Sequence, residues 1–177
     1  MKQITIDVYT FDKLSESAKQ KAIEKNAYNS EYFWGNDAIK SLEKFAEHFN
    51  CELKNYSIDW CEKYRCEVSF NVPEYMQNIS KKELKRYIMS MGKFDKKTLK
   101  GIGECKFTGV CFDEDAADGA RIAFLNGETD LKEILYAGYE SWIKAGISDY
   151  EYQISEAGYT EQCEANDYEF DIDGNML

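Results

Sequence analysis

Apolar and polar positions alternate at the start of the chain. Ile4, Ile6 and Val8 fall on one side, the two-residue period of a strand over 3–10. The period then lengthens. Ser15 is placed to cap a helix reaching about Tyr28, with Ala18 and Ala22 on its inner face. A second helix is expected over 31–49, where Ile39, Leu42, Phe45, Ala46 and Phe49 fall at helical spacing and Asn50 can end it. Alternation returns in Tyr56, Ile58 and Trp60 and again in Tyr64, Cys66, Val68 and Phe70. The short Cys61-Glu62-Lys63 link between the two runs predicts a hairpin.

Ser80-Lys81-Lys82-Glu83 spells a capping box, with Ile79 and Leu84 placed as a hydrophobic staple, and predicts a helix from 81 to about 91 stopped by Gly92. Beyond it, the pattern suggests a strand at 105–112, an acidic turn and a short strand at 120–125. Thr129 or Asp130 caps a fourth helix reaching Ala145-Gly146, with Leu131, Leu135, Tyr139 and Trp142 inward. Tyr150, Tyr152 and Ile154 predict one more strand and Tyr168, Phe170 and Ile172 a last one, separated by one or two helical turns at 158–165. This order lacks the regular βαβ alternation of a parallel sheet. The expected fold is α+β: a mostly antiparallel sheet packed with about four helices, in a single domain over 1–177.

Composition fits a folded domain. The 177 residues are 44% hydrophobic and 15% aromatic, too rich for a disordered chain, and the one proline (Pro73) leaves no linker. Met1–Asp7 has the alternation of a strand and not the apolar core of a signal peptide. No apolar run approaches a membrane span, so a cytoplasmic location, with reduced cysteines, is expected.

Charge changes the picture most. The net charge is −11, and residues 107–177 hold 17 acidic and 3 basic side chains against 16 acidic and 19 basic in 1–106. An acidic surface repels phosphate backbones and attracts basic ones, so tight nucleic-acid binding by the whole chain is disfavoured. The Lys-rich stretch at 81–100 is the one local exception.

Chemistry-bearing motifs fail on spacing. The single histidine, His48, lies off the apolar stripe of its helix and is expected to be solvated, and no Gly-x-Ser-x-Gly elbow is present. His48, Cys51, Cys61 and Cys66 have the softness of zinc ligands but not the spacing of a zinc knuckle. The cluster from Asp113 to Gly119 places glycine seventh and Phe124 twelfth, where a calcium loop needs glycine sixth and glutamate twelfth. Gly101-Ile102-Gly103 lacks the rest of a phosphate loop. No enzyme, metal or cofactor is expected.

Three segments, YTFDKLSESAKQKAI (9–23), FTGVCFDEDAADGA (107–120) and EANDYEFDIDG (164–174), resemble a widespread family of small acidic proteins encoded by phages and prophages. The middle one departs from the family pattern, a Ser/Gln/Gly stretch ahead of Gly-Asp-Gly-Ala. Here it reads Asp115-Ala116-Ala117-Asp118-Gly119-Ala120. The resemblance carries no catalytic residues. It implies a phage accessory protein, a class that includes inhibitors of bacterial immunity such as anti-CRISPR proteins. The resulting expectation is a partner with a basic surface, most concretely a CRISPR effector nuclease, bound through carboxylates that mimic nucleic-acid phosphates. The candidate residues are Asp113, Glu114, Asp115 and Asp118 in the acidic loop and Glu164, Asp167, Glu169, Asp171 and Asp173 near the C-terminus. The competing classes are a regulatory or antitoxin-like binder and an enzyme or sponge acting on a defence signal.

Overall fold

The computed structural model describes residues 7–27, 32–95, 97, 98, 100–102, 107, 108 and 112–177. In chain order it contains α1 (Glu16–Asn26), α2 (Gly35–His48), β1 (Glu52–Ser57), β2 (Glu67–Asn71), α3 (Glu74–Gln77), α4 (Lys81–Ser90), α5 (Asp113–Leu125), α6 (Leu131–Gln153) and α7 (Glu156–Ala165). Two compact units result, one made of 1–32 with 149–177, the other of 33–148.

The α+β class stands, but its balance is the reverse of the expected one. Among the described residues the protein is 58% helical with seven α-helices, and its one sheet has two strands. Those strands form the predicted hairpin. β1 and β2 pair antiparallel with Leu53 opposite Phe70 and Tyr56 opposite Val68, interrupted by an irregularity between Leu53 and Asn55. The first strand runs earlier than the Tyr56–Trp60 alternation suggests. Trp60 lies past its end, its ring 5.4 Å from that of Trp142.

Three expected strands are corrected. Residues 120–125 are the second half of α5, where Ala116, Ala117, Ala120 and Phe124 recur at helical spacing and are buried. Alanine is the best helix former, and the acids that suggested a turn are the first-turn carboxylates that favour a helix N-terminus. Residues 150–153 are the last turn of α6. Its buried row of Leu135, Tyr139, Trp142, Ile143 and Tyr150 keeps the helical period straight past Ala145-Gly146. Gly146 is a packing position: a Cβ there would lie 2.3 Å from the Trp60 ring. Near the C-terminus only Phe170 pairs, through isolated bridges to Tyr9 and Met176. Residues 3–6 of the first expected strand, and 105, 106 and 109–111 of the strand expected at 105–112, lie outside the described residues. So does Tyr28, where the first helix was expected to end.

Locally coded features appear as expected. The Ser15 Oγ accepts from Ala18 N–H at 3.3 Å, and Ser80 with Glu83 forms the full capping box. The Asp130 carboxylate accepts from Lys132 N–H at 2.8 Å at the start of α6. In the 33–148 unit the apolar stripes of α2, α4, α5 and α6 meet in one core that includes Leu42, Phe45, Leu84, Ile88, Ile134 and Trp142. The Trp142 indole donates to Ala38 O at 3.1 Å, so its burial leaves no orphan donor. The other unit has its own smaller core of α1, α7 and the 3-10 turn at Phe11–Lys13, centred on Phe11, Ala22, Tyr159 and Phe170.

Candidate functional site

Charge divides sharply between the units. The one built from 1–32 and 149–177 carries fourteen carboxylates against five lysines, a balance of −9, while 33–148 carries nineteen against seventeen cations, a balance of −2. Within the first unit, residues 149–177 hold nine carboxylates and not one lysine or arginine.

Three of the sequence-predicted carboxylates gather in this unit. A groove of about 290 Å³ is lined by Glu164, Asp167 and Glu169, with Asp12, Thr10 and Phe11 on its other side. The two sides come together because Tyr9 and Phe170 exchange backbone hydrogen bonds, each N–H donating to the other's carbonyl at 2.9 Å. Asp12 was not among the candidates, since more than 150 residues separate it from Glu164 in sequence. The nearest signal was that YTFDKL and EANDYEF both belong to segments that carry the family resemblance. The Thr10 hydroxyl donates to the Asp12 carboxylate and holds its pKa below the usual carboxylate range. The Asp12 charge is therefore retained in mild acid.

The remaining candidates part company. Glu169 and Asp173 are exposed, but the row expected to alternate with Tyr168, Phe170 and Ile172 does not form. Ile172 is 67% exposed, and Asp171 is turned into its own chain. The Asp171 carboxylate accepts from Asn175 N–H and Nδ2–H, both at 2.8 Å, and from Asp173 N–H at 3.0 Å, and the Asn175 bonds lower its pKa. These four bonded groups close a tight turn and leave Asp171 committed.

The acidic loop is also corrected: it is the N-terminal half of α5. Asp113 is buried and accepts from the Ser41 hydroxyl and from Thr108 N–H at 2.7 Å and Thr108 Oγ1–H at 3.0 Å. Asp118 accepts from Gly101 N–H at 2.9 Å and pairs with the buried Arg121, whose guanidinium lies 4.6 Å from the centre of the Phe94 ring. Glu114 and Asp115 remain exposed. Crowding by the surrounding protein, and next the charge of Asp118, raises the Asp115 carboxyl above its ordinary value although part of the side chain meets solvent. Two of the four candidates in this segment therefore serve the fold.

His48 is half-buried, not solvated. Its Nε2 lies 2.9 Å from Tyr87 O and 3.2 Å from Ser90 Oγ, between the rings of Phe49, Tyr87 and Phe107. Among the described residues no three His, Cys, Asp or Glu side chains are grouped to hold a metal ion. Burial pushes the Cys51 and Cys163 thiols up to about 11, whereas Cys61 is exposed. Alkylation at pH 8, followed site by site by peptide mass spectrometry, should label Cys61 roughly 100-fold faster than Cys51 or Cys163, because only the thiolate reacts. Equal rates would mean that the two buried thiols open to solvent on the labelling timescale.

Comparison with family models, with curated proteins and with solved structures returns no match. No helix among the described residues is long and apolar enough to cross a membrane.

Proposed function

We propose that this chain is a non-enzymatic, phage-encoded binding protein whose acidic unit occupies a basic surface on a host defence factor, most concretely the nucleic-acid groove of a CRISPR effector nuclease. The observation that carries the reading is the concentration of nine carboxylates without one lysine or arginine in 149–177, three of them lining a groove with Asp12. Of these nine, Glu161 and Glu164 are exposed one turn apart on α7. Side chains so placed have Cβ atoms about 5–6 Å apart, close to the spacing of phosphates along one strand, roughly 6–7 Å. An array fixed on helix and turn is preorganised, so little ordering entropy is lost when a cationic groove closes on it. The family resemblance supplies the biological setting, and the charge supplies the mechanism.

The test is the variant Glu164→Gln, Asp167→Asn, Glu169→Gln. All three side chains are exposed, and Asn tolerates the left-handed backbone at 167 (φ 52°), so the fold should hold within about 0.5 kcal/mol. Asp171 is left intact because its turn depends on it. Binding of wild type and variant to a panel of purified CRISPR effector complexes, by biolayer interferometry at about 50 and 200 mM salt, reads the outcome. At 200 mM the Debye length falls below about 8 Å, which weakens steering between exposed charges. Wild type should bind one of them with affinity that falls steeply with salt, and the variant should bind at least about tenfold more weakly with a flatter dependence. Equal affinity and slope would assign the acidity to solubility and end the mimic reading. A panel that binds nothing would remove the CRISPR assignment.

A further inference from the structure

The strongest basic feature of the protein lies in the other unit. Residues 81–100 contain eight lysine and arginine side chains against two carboxylates. On α4, Lys81, Lys82, Lys85 and Arg86 are all exposed, and none forms an ion pair among the described residues. The one carboxylate on this helix, Glu83, is held in the capping box, where it accepts from Ser80 Oγ–H at 2.6 Å and Ser80 N–H at 3.3 Å. Beside this helix a groove of about 550 Å³ runs along α3, lined by Tyr75, Met76, Ile79, Glu83, Arg86 and Tyr87, with Lys82 one residue before Glu83 on α4 and outside the lining. Its size falls in the range of ligand sites, roughly 300–1,000 Å³. Tyr75 is 70% exposed, an aromatic side chain open to solvent.

We propose that this groove binds single-stranded nucleic acid, with Arg86 of the groove and Lys82 beyond its edge on α4 holding successive phosphates and an unstacked base on Tyr75. The cation spacing supports this occupant. Lys82 and Arg86, like Lys81 and Lys85, stand four residues apart on one helix, so each pair has Cβ atoms about 5–6 Å apart. One strand carries a phosphate at roughly that interval. A basic track beside an exposed aromatic is the arrangement that holds single strands without sequence preference. The α4 side of the groove is braced from the end of α2, since His48 lies against Tyr87 O and Ser90 Oγ, and Asn50 Nδ2 donates to the Tyr87 hydroxyl at 2.7 Å. A duplex fits less well because its bases stay stacked and cannot reach Tyr75. The acidic groove plays no part in this site, so the two proposals stand or fall separately.

Fluorescence anisotropy of a labelled oligothymidine of about 15 nucleotides, titrated with the full chain at about 50 and 150 mM salt, provides the test. Wild type should bind in the micromolar range, with log K falling against log salt by at least about 1.4 for two phosphates. The pair Lys82→Gln, Arg86→Gln should weaken binding at least tenfold and remove most of that slope. Tyr75→Ala should cost roughly 5- to 150-fold, as loss of one stacked base does, and Tyr75→Phe should restore wild-type affinity. A duplex of equal length should bind at least tenfold more weakly. No binding at 100 µM protein and low salt (about 50 mM, as above), equal binding by the variants, or preference for the duplex overturns the proposal. Binding of an acidic, aromatic peptide in place of the oligonucleotide also overturns it and assigns the groove to a protein partner.

Discussion

Gly138→Ala will destabilise the 33–148 unit by about 2–4 kcal/mol, although the same exchange in an open helix stabilises by up to about 1 kcal/mol. Gly138 lies inside α6, where a Cβ would sit 2.2 Å from Phe45 Cζ and 2.9 Å from Ala116 O. Neither neighbour can give way. Phe45 is fully buried, with the Phe49 ring at 5.5 Å and the Phe107 ring at 6.1 Å, and Ala116 O belongs to the backbone of α5. At Gly119 of α5 the relation is reciprocal: a Cβ would meet Ala137 O at 2.4 Å and Ser141 Oγ at 2.5 Å. The two helices therefore cross with their backbones in contact. Urea denaturation of wild type, Gly138→Ala and Gly119→Ala gives the answer. Both variants should shift to a clearly lower midpoint, and a gain in stability would show that α5 and α6 do not approach this closely.

Asp113→Ala will cost about 2–4 kcal/mol, because it removes a buried carboxylate that accepts three hydrogen bonds. The Asp113 carboxylate is 1% exposed and takes hydrogen bonds from Ser41 on α2 and from both the amide and the hydroxyl of Thr108. Truncation removes the acceptor of the buried Ser41 hydroxyl and of two part-buried Thr108 donors at the junction where the chain enters α5. Asp113→Asn, which keeps the shape and part of the accepting capacity, should lose less. Equilibrium unfolding of both variants separates a structural role from a partner-binding one. A residue used only by a partner would leave the midpoint within about 0.5 kcal/mol of wild type. Such a result would return Asp113 to the binding surface and remove it from the fold.

That contrast shows where sequence reasoning succeeded. Ser15, Ser80 with Glu83, and Asp130 announce helix starts because a cap is a bond between residues two or three positions apart, and its code is local. The α2 stripe and the hairpin are legible because their period spans a few residues. The strands expected at 120–125 and 150–154 failed for one shared reason. Gly119 and Gly146 look like breakers in a one-dimensional pattern, yet each sits in a helix because a distant group, Ala137 O or the Trp60 ring, occupies the space of its Cβ. Alternating Tyr150 and Tyr152 then suggested a strand, whereas the longer row from Leu135 to Tyr150 belongs to one continuous helix.

The candidate site divides in the same way. By itself the sequence determined that the protein is acidic, that the acid is concentrated toward the C-terminus, and that 81–100 opposes it, since charge is a sum over residues and needs no coordinates. Only the tertiary structure decided which carboxylates remain available. It spent Asp113 on Ser41 and Thr108, Asp118 on Arg121 and Gly101, and Asp171 on its own turn. It also brought Asp12 beside Glu164, Asp167 and Glu169 through the Tyr9–Phe170 pairing. The physical reason is that a carboxylate's availability depends on the donors that surround it, and those donors can arrive from distant segments, as Ser41 does from 72 residues before Asp113, which no local period records.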